Sequence, residues 1–125
     1  MLNETNDYNL IETQNILTNF PLNTSLNGYS MLVDAIVLAI PYSNGKLNLS
    51  KDIYGLLAKK YSIKKGSVEK AIRGVIESAN DAMVSMSSIP FPNIRMKNAL
   101  LDGRPKHFIS AICEQVKLNN LKRFA

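Results

Sequence analysis

The sequence predicts an all-α fold: one compact domain of five to six helices that contains a helix-turn-helix. Three observations carry that prediction. Apolar residues recur at helical spacing, most cleanly at Val68, Ala71, Ile72, Val75, Ile76 and Ala79, which share one stripe at about 100° per residue. Turn-forming residues punctuate the chain between such segments, as at Phe20-Pro21, Gly28, Pro41 and Asn44-Gly45. Alternation of apolar and polar residues occurs only around Ile94 and Met96, where no partner strand is evident. At 125 residues, with 46% hydrophobic and 20% charged residues, the chain suits a single packed domain, 1–125.

A first helix is expected from about residue 7 to 18, capped by Asn6 or Asp7, with Leu10, Ile11, Gln14 and Leu17 on one face. A second, from about 29 to 40, is apolar on nearly every side and reads as the central core helix; Pro41 stops it, and 43–46 is a turn. Ser50 is the expected cap of a third helix, whose apolar positions are Ile53, Leu56, Leu57 and Tyr61. After a short polar connection around Ile63, a fourth helix starts at Gly66 or Ser67. Residues 80–92 read as a frayed helix end and a loop, and 93–103 are ambiguous. A last helix begins at Pro105, a favoured first-turn residue, with Phe108, Ile109, Ile112 and Val116 inward. Residues 1–6 and 119–125 are expected to be loose ends.

Charge is unevenly spread. The net charge is +5, yet residues 1–45 hold no Lys or Arg. Two basic blocks follow, at 51–73 and 95–125, each with seven bases against two acids. Such blocks suit a polyanion, most often nucleic acid; alternatively, lysines simply solvate helix faces. The lack of Trp and the 7% aromatic content argue against a single-strand binder built on stacked rings, although five Tyr and four Phe leave room for one. One Cys (Cys113) and one His (His107) allow neither a disulfide framework nor a structural zinc site. The longest apolar run, 31–40, is too short for a bilayer, and the acidic N-terminus is no secretory signal, so the cytoplasm is the expected compartment. Gly45-Lys46 lacks the upstream glycine of a phosphate-cradling loop, and Glu77 with Asp81 forms no acid–base pair in an evident pocket. No catalytic constellation, cofactor motif, metal site or small-molecule site is therefore expected.

The third and fourth helices carry a mechanism. Joined by about four residues, they form a helix-turn-helix at about 51–80. Ala58 is small where two helices cross closely, and Ser62 stands at the turn position where Gly is frequent. The outer face of the fourth helix, 67–80, would lie in the major groove. There Lys70 and Arg73 can donate to guanine O6 and N7, and Glu69 can accept from a cytosine amino group. Lys59, Lys60, Lys64 and Lys65 would meet phosphates, and Gly66 and Ser67 open a helix N-terminus that suits one.

These residues resemble a known family. The run Gly28-Tyr29, Leu32, Ala35-Ile36, then Ala58-Lys59-Lys60-Tyr61, then Val68-Glu69-Lys70-Ala71-Ile72-Arg73 and Ile76-Glu77 is similar to the C-terminal DNA-binding domain of the stage zero sporulation protein A family. The resemblance covers about residues 10–118 and is specific in 28–77. It implies a helical transcriptional regulator of sporulation on double-stranded DNA, often bound as tandem dimers on repeated boxes. It also implies that Glu69, Lys70 and Arg73 occupy base-reading positions, and that Arg104 and Lys106, at the start of the final helix, contact the backbone. Four departures stand out: Lys70 and Ser67 each replace an Arg, Gly74 replaces a longer polar residue, and Arg104-Pro105-Lys106-His107 replaces Lys-Pro-Thr-Asn. The family's receiver domain does not precede this region, so a stand-alone effector or a fragment is expected; Met1 and an acidic first helix unlike a receiver fold favour the former. The rival reading is a module of the same fold that sequesters a protein partner and reads DNA weakly or not at all; RNA binding is a weaker rival.

Overall fold

The computed structural model describes residues 4–42, 48–85 and 94–124, and every regular element among them is helical. Helix α1 spans Glu4–Leu17, α2 Asn27–Ala39, α3 Gly55–Tyr61, α4 Lys65–Ser85, α5 Ile94–Asp102 and α6 Pro105–Phe124. A single 3₁₀ turn, Ile40–Tyr42, follows α2 where Pro41 ends it, and a wide π-type turn, Leu49–Tyr54, leads into α3. The expected turn at 43–46 lies outside the described residues, apart from its neighbours, as does most of the expected loop before α5.

Helix α2 is central because its sequence is apolar nearly all round. Met31, Leu32, Val33, Ala35, Ile36 and Ala39 are buried, and α1, α4 and α6 pack around them. The stripe expected on α4 is inward: Val68, Ile72, Val75, Ile76 and Ala79 are at most 1% exposed. On α6, Phe108, Ile109, Ile112 and Val116 are likewise buried, and Phe108 meets Phe20 edge-on at 5.3 Å between ring centroids. Cys113 lies in the same core, its thiol donating to the Ile36 carbonyl at 3.5 Å, and burial pushes its pKa up to about 12.

Several local expectations need correction. Helix α1 starts at Glu4, before the expected caps Asn6 and Asp7, and its inward face differs: Ile11 and Gln14 are exposed, while Asn9, Thr13, Ile16 and Leu17 are buried. The reason is α6, which runs to Phe124 instead of fraying after 118 and lays polar side chains on α1. The Asn119 amide donates to Glu12 at 2.7 Å, and the Asn120 amide donates to Asn9 at 2.8 Å. A polar seam thus joins α1 to the C-terminal part of α6, which continues as helix through residues 119–124.

Asn48, rather than Ser50, caps the wide turn Leu49–Tyr54 that leads into α3. Its side-chain oxygen accepts from the Lys51 N–H at 3.0 Å, while its own N–H donates to the Asp52 carboxylate at 3.1 Å. This reciprocal arrangement satisfies donors at both ends of the first turn. Helix α4 continues past Asn80, because the Asn80 amide donates to the carbonyls of Leu100 (3.2 Å) and Leu101 (3.0 Å) at the end of α5. The described part of the ambiguous segment is therefore the helix α5, Ile94–Asp102, whose C-terminal carbonyls are met from α4.

Ser62 ends α3 in the left-handed conformation, φ 56° and ψ 43°. In that geometry the Ile63 N–H reaches the Ala58 carbonyl at 3.0 Å and turns the chain into α4. A side chain there is strained relative to glycine by about 1 kcal/mol. Ser62→Gly is expected to stabilise the domain by roughly 0.5 kcal/mol, after allowing for the extra freedom of glycine in the unfolded chain. Urea denaturation checks this through a rise in midpoint at unchanged slope.

Candidate nucleic-acid interface

Helices α3 and α4 meet through the Ser62–Lys64 connection as a helix-turn-helix, with α2 packed behind both. The close approach of α2 and α4 is set by one residue. A Cβ on Gly28 would lie 2.2 Å from the Ala71 carbonyl oxygen and 2.7 Å from Val75 Cγ2. Glycine is thus the residue that lets α4 settle onto α2 with its opposite face turned to solvent.

That opposite face carries Lys70, Arg73, Gly74 and Glu77, all exposed, with Glu69 half-buried beside them. Periodicity explains the arrangement, since these residues fall away from the buried stripe. The Arg73 guanidinium donates to the Glu69 carboxylate one turn earlier, so the two move as a neutral pair with the arginine pre-oriented. Tyr54, at the end of the wide turn before α3, is 5% exposed. Its pKa is pushed up to about 12, first by burial and then by the nearby Glu69 charge, with Arg73 pulling the other way. The i, i+3 pattern did not single out Tyr54, because it lies one residue past Ile53 in a non-α turn.

Lys59, Lys64, Lys65, Gly66 and Ser67 are exposed around the turn, and the first turn of α4 holds no acidic residue. The Lys64 carbonyl closes that turn by accepting from Ser67 N–H at 3.0 Å and Val68 N–H at 3.2 Å. Lys60 is placed differently. Its Nζ donates to Asp34 Oδ2 of α2 at 2.8 Å, and the Tyr61 hydroxyl donates to the same oxygen at 2.6 Å. Pattern reading passed over Asp34 as the partner of Lys60, although a lone charge in an apolar helix was its signal.

Arg104 and Lys106 are exposed at the start of α6, on a different element from the helix pair. Arg104 Nε donates to Asp102 at 3.0 Å, and His107 Nδ1 contacts the same carboxylate. These contacts, His107 first, hold the Asp102 carboxyl below its ordinary pKa. Beside them a shallow groove of about 410 Å³ is lined by Asn98, Ala99, Asp102, His107, Ser110 and Ala111. Among the described residues no helix is long and apolar enough to cross a membrane.

The family described as "Sporulation initiation factor Spo0A C terminal" matches residues 13–116, from the middle of α1 to the middle of α6. The chain belongs to that family. Comparison with curated proteins and with solved structures returned no match. Spo0A C-terminal domains are helical helix-turn-helix DNA-binding effectors of transcription, not catalytic domains, and the helix pair described above is that motif in this chain. The Asn9–Asn120 and Glu12–Asn119 contacts fall outside the matched span.

The Tyr61 hydroxyl gives a pH test of the α2–α3 contact. Burial, the hydrogen bond to Asp34 and the Asp34 charge raise its pKa from 10.0 to about 12. The folded state therefore keeps a proton that the unfolded chain releases near pH 10, so this contribution is full below pH 10 and falls as pH rises towards 12. Denaturant titrations from pH 9 to 11.5 are expected to show declining stability, and Tyr61→Phe is expected to decline less steeply.

Proposed function

We propose that this chain is a sequence-specific double-stranded DNA-binding regulator of transcription that lays α4 in the major groove. The observation that carries the reading is the division of α4: one face sealed in the core, the other open and bearing Lys70 and Arg73. Lys70 and Arg73 donate to base edges, and Glu69 orients Arg73 or accepts from cytosine. Lys59, Lys64 and Lys65, the start of α4 at Gly66 and Ser67, and Arg104 and Lys106 beside the start of α6 neutralise phosphates and set the register. With five side-chain cations so employed, log K should fall against log salt with a slope of about −4 to −5. The domain works in the cytoplasm on the nucleoid, as a homodimer on tandem sites.

Selection of bound duplexes from a random library tests this. One short motif, repeated in tandem among the tightest ligands, is the expected result, with sedimentation of the complex reporting two protein copies. No enriched sequence, together with weak binding, would favour instead a module that sequesters a protein partner; efficient competition by structured RNA would point to an RNA ligand.

A further inference from the structure

We propose that Asp34 withholds Lys60 from DNA and so lowers the affinity of the domain; this rests on the DNA-binding reading above. Lys59 and Lys60 are adjacent at the end of α3, yet only Lys60 is engaged by α2. Asp34 is the one charged side chain in α2, Asn27–Ala39. A single oxygen, Oδ2, takes both the Lys60 ammonium at 2.8 Å and the Tyr61 hydroxyl at 2.6 Å, much as a phosphate oxygen would take two donors. The Lys60 ammonium also lies 5.6 Å from the centroid of the Tyr61 ring, a third attraction in the same place.

Exposure differs across the pair: the Asp34 side chain is 23% accessible and the Lys60 side chain 61%. The carboxylate is therefore the less hydrated partner, and losing its cation would leave a half-buried charge with one donor. An approaching phosphate must take Lys60 from that site while facing the negative charge of Asp34. Lys60 accordingly drops out of the count of phosphate ligands, although its position among the basic residues of the turn suggests otherwise. The carboxylate thus sets how tightly the helix-turn-helix holds any duplex, without choosing among sequences.

Binding of the full chain to its selected duplex and to a random duplex, by fluorescence anisotropy between 50 and 200 mM salt, tests this. Asp34→Asn keeps an oxygen for the Tyr61 hydroxyl and frees Lys60. It is expected to bind both duplexes about two- to fivefold tighter, with a salt slope steeper by about 0.9. Lys60→Gln in the native background is expected to leave that slope unchanged, and Asp34→Asn with Lys60→Gln is expected to return it to the native value. A slope reduced by Lys60→Gln alone overturns the inference, since Lys60 would then already contact phosphate; that variant decides even if Asp34→Asn fails to fold. A folded Asp34→Asn protein that binds more weakly, or whose slope does not change, overturns it equally and makes Asp34 a brace for α3. A native chain that binds no duplex overturns the DNA reading itself, whereas an enriched motif with an unchanged Asp34→Asn slope overturns this inference alone.

Discussion

Gly28→Ala is expected to destabilise the domain by about 3 kcal/mol or more and to lower its melting temperature by roughly 10 °C. The added methyl would stand 2.2 Å from the Ala71 carbonyl oxygen and 2.8 Å from the Ala71 carbonyl carbon. Those are backbone atoms in the second turn of α4, which cannot rotate out of the way as a flexible side chain can. Val75, 2.7 Å from the methyl through Cγ2, is 1% exposed, and protein interiors are close-packed. Relief requires α4 to lift from α2 along the line that Val68, Ile72, Val75 and Ile76 seal. Gly74→Ala is the matched control: its Cβ would meet nothing within 4 Å, so the exchange should be neutral or stabilise by up to about 1 kcal/mol. Urea titrations of the two variants decide the point, and equal midpoints would remove Gly28 as the spacer.

This clash ties stability to function. Gly28 lies on the core helix and never faces DNA, yet it fixes how far α4 stands from α2. Any Gly28→Ala protein that remains folded at low temperature should present α4 displaced from its place in the helix-turn-helix. Its DNA affinity should then fall, although no DNA-facing side chain has changed. From the sequence Gly28 read as a turn residue ahead of the second helix; it lies instead in the first turn of α2, buried, and its mechanical reason required the α2–α4 contact.

What could be read locally from the sequence follows a physical boundary. The α4 stripe was legible because Val68, Ile72, Val75 and Ile76 all pack on one side at helical spacing. Helix α1 was misread because its inward residues include the polar Asn9 and Thr13, and Asn9 is met by Asn120 of α6 more than a hundred residues later. Helix α5 resisted reading because Ile94 and Met96 alternate like a strand, and its C-terminal carbonyls are met by Asn80 from another helix. Lys60 looked like its neighbours until Asp34, 26 residues earlier, was brought against it. Periodicity reports which side of a helix is apolar; it carries no information about polar partners that arrive from elsewhere in the chain.

Arg73→Ala is expected to weaken binding to the selected duplex by about 1–3 kcal/mol and to relax preference at one base pair. Two features separate Arg73 from the surrounding lysines. Its guanidinium is held by Glu69, so less rotamer freedom is lost when it meets a base, and its planar fork can bond guanine O6 and N7 together. Lys70→Ala should also relax preference, though less, because an ammonium makes no such fork. Lys64→Ala should behave differently, weakening selected and random duplexes alike and reducing the salt slope by about 0.9. The comparison matters because loss of any one cation weakens attraction to a polyanion; only a residue that reads bases changes the ratio between two sequences. If Arg73→Ala and Lys64→Ala alter that ratio equally, the outer face of α4 attracts DNA without reading it. If Arg73→Ala alone collapses the ratio, then the open side of α4 and the base edges are in contact, and the Glu69–Arg73 pair is the device that converts a basic helix into a selective one.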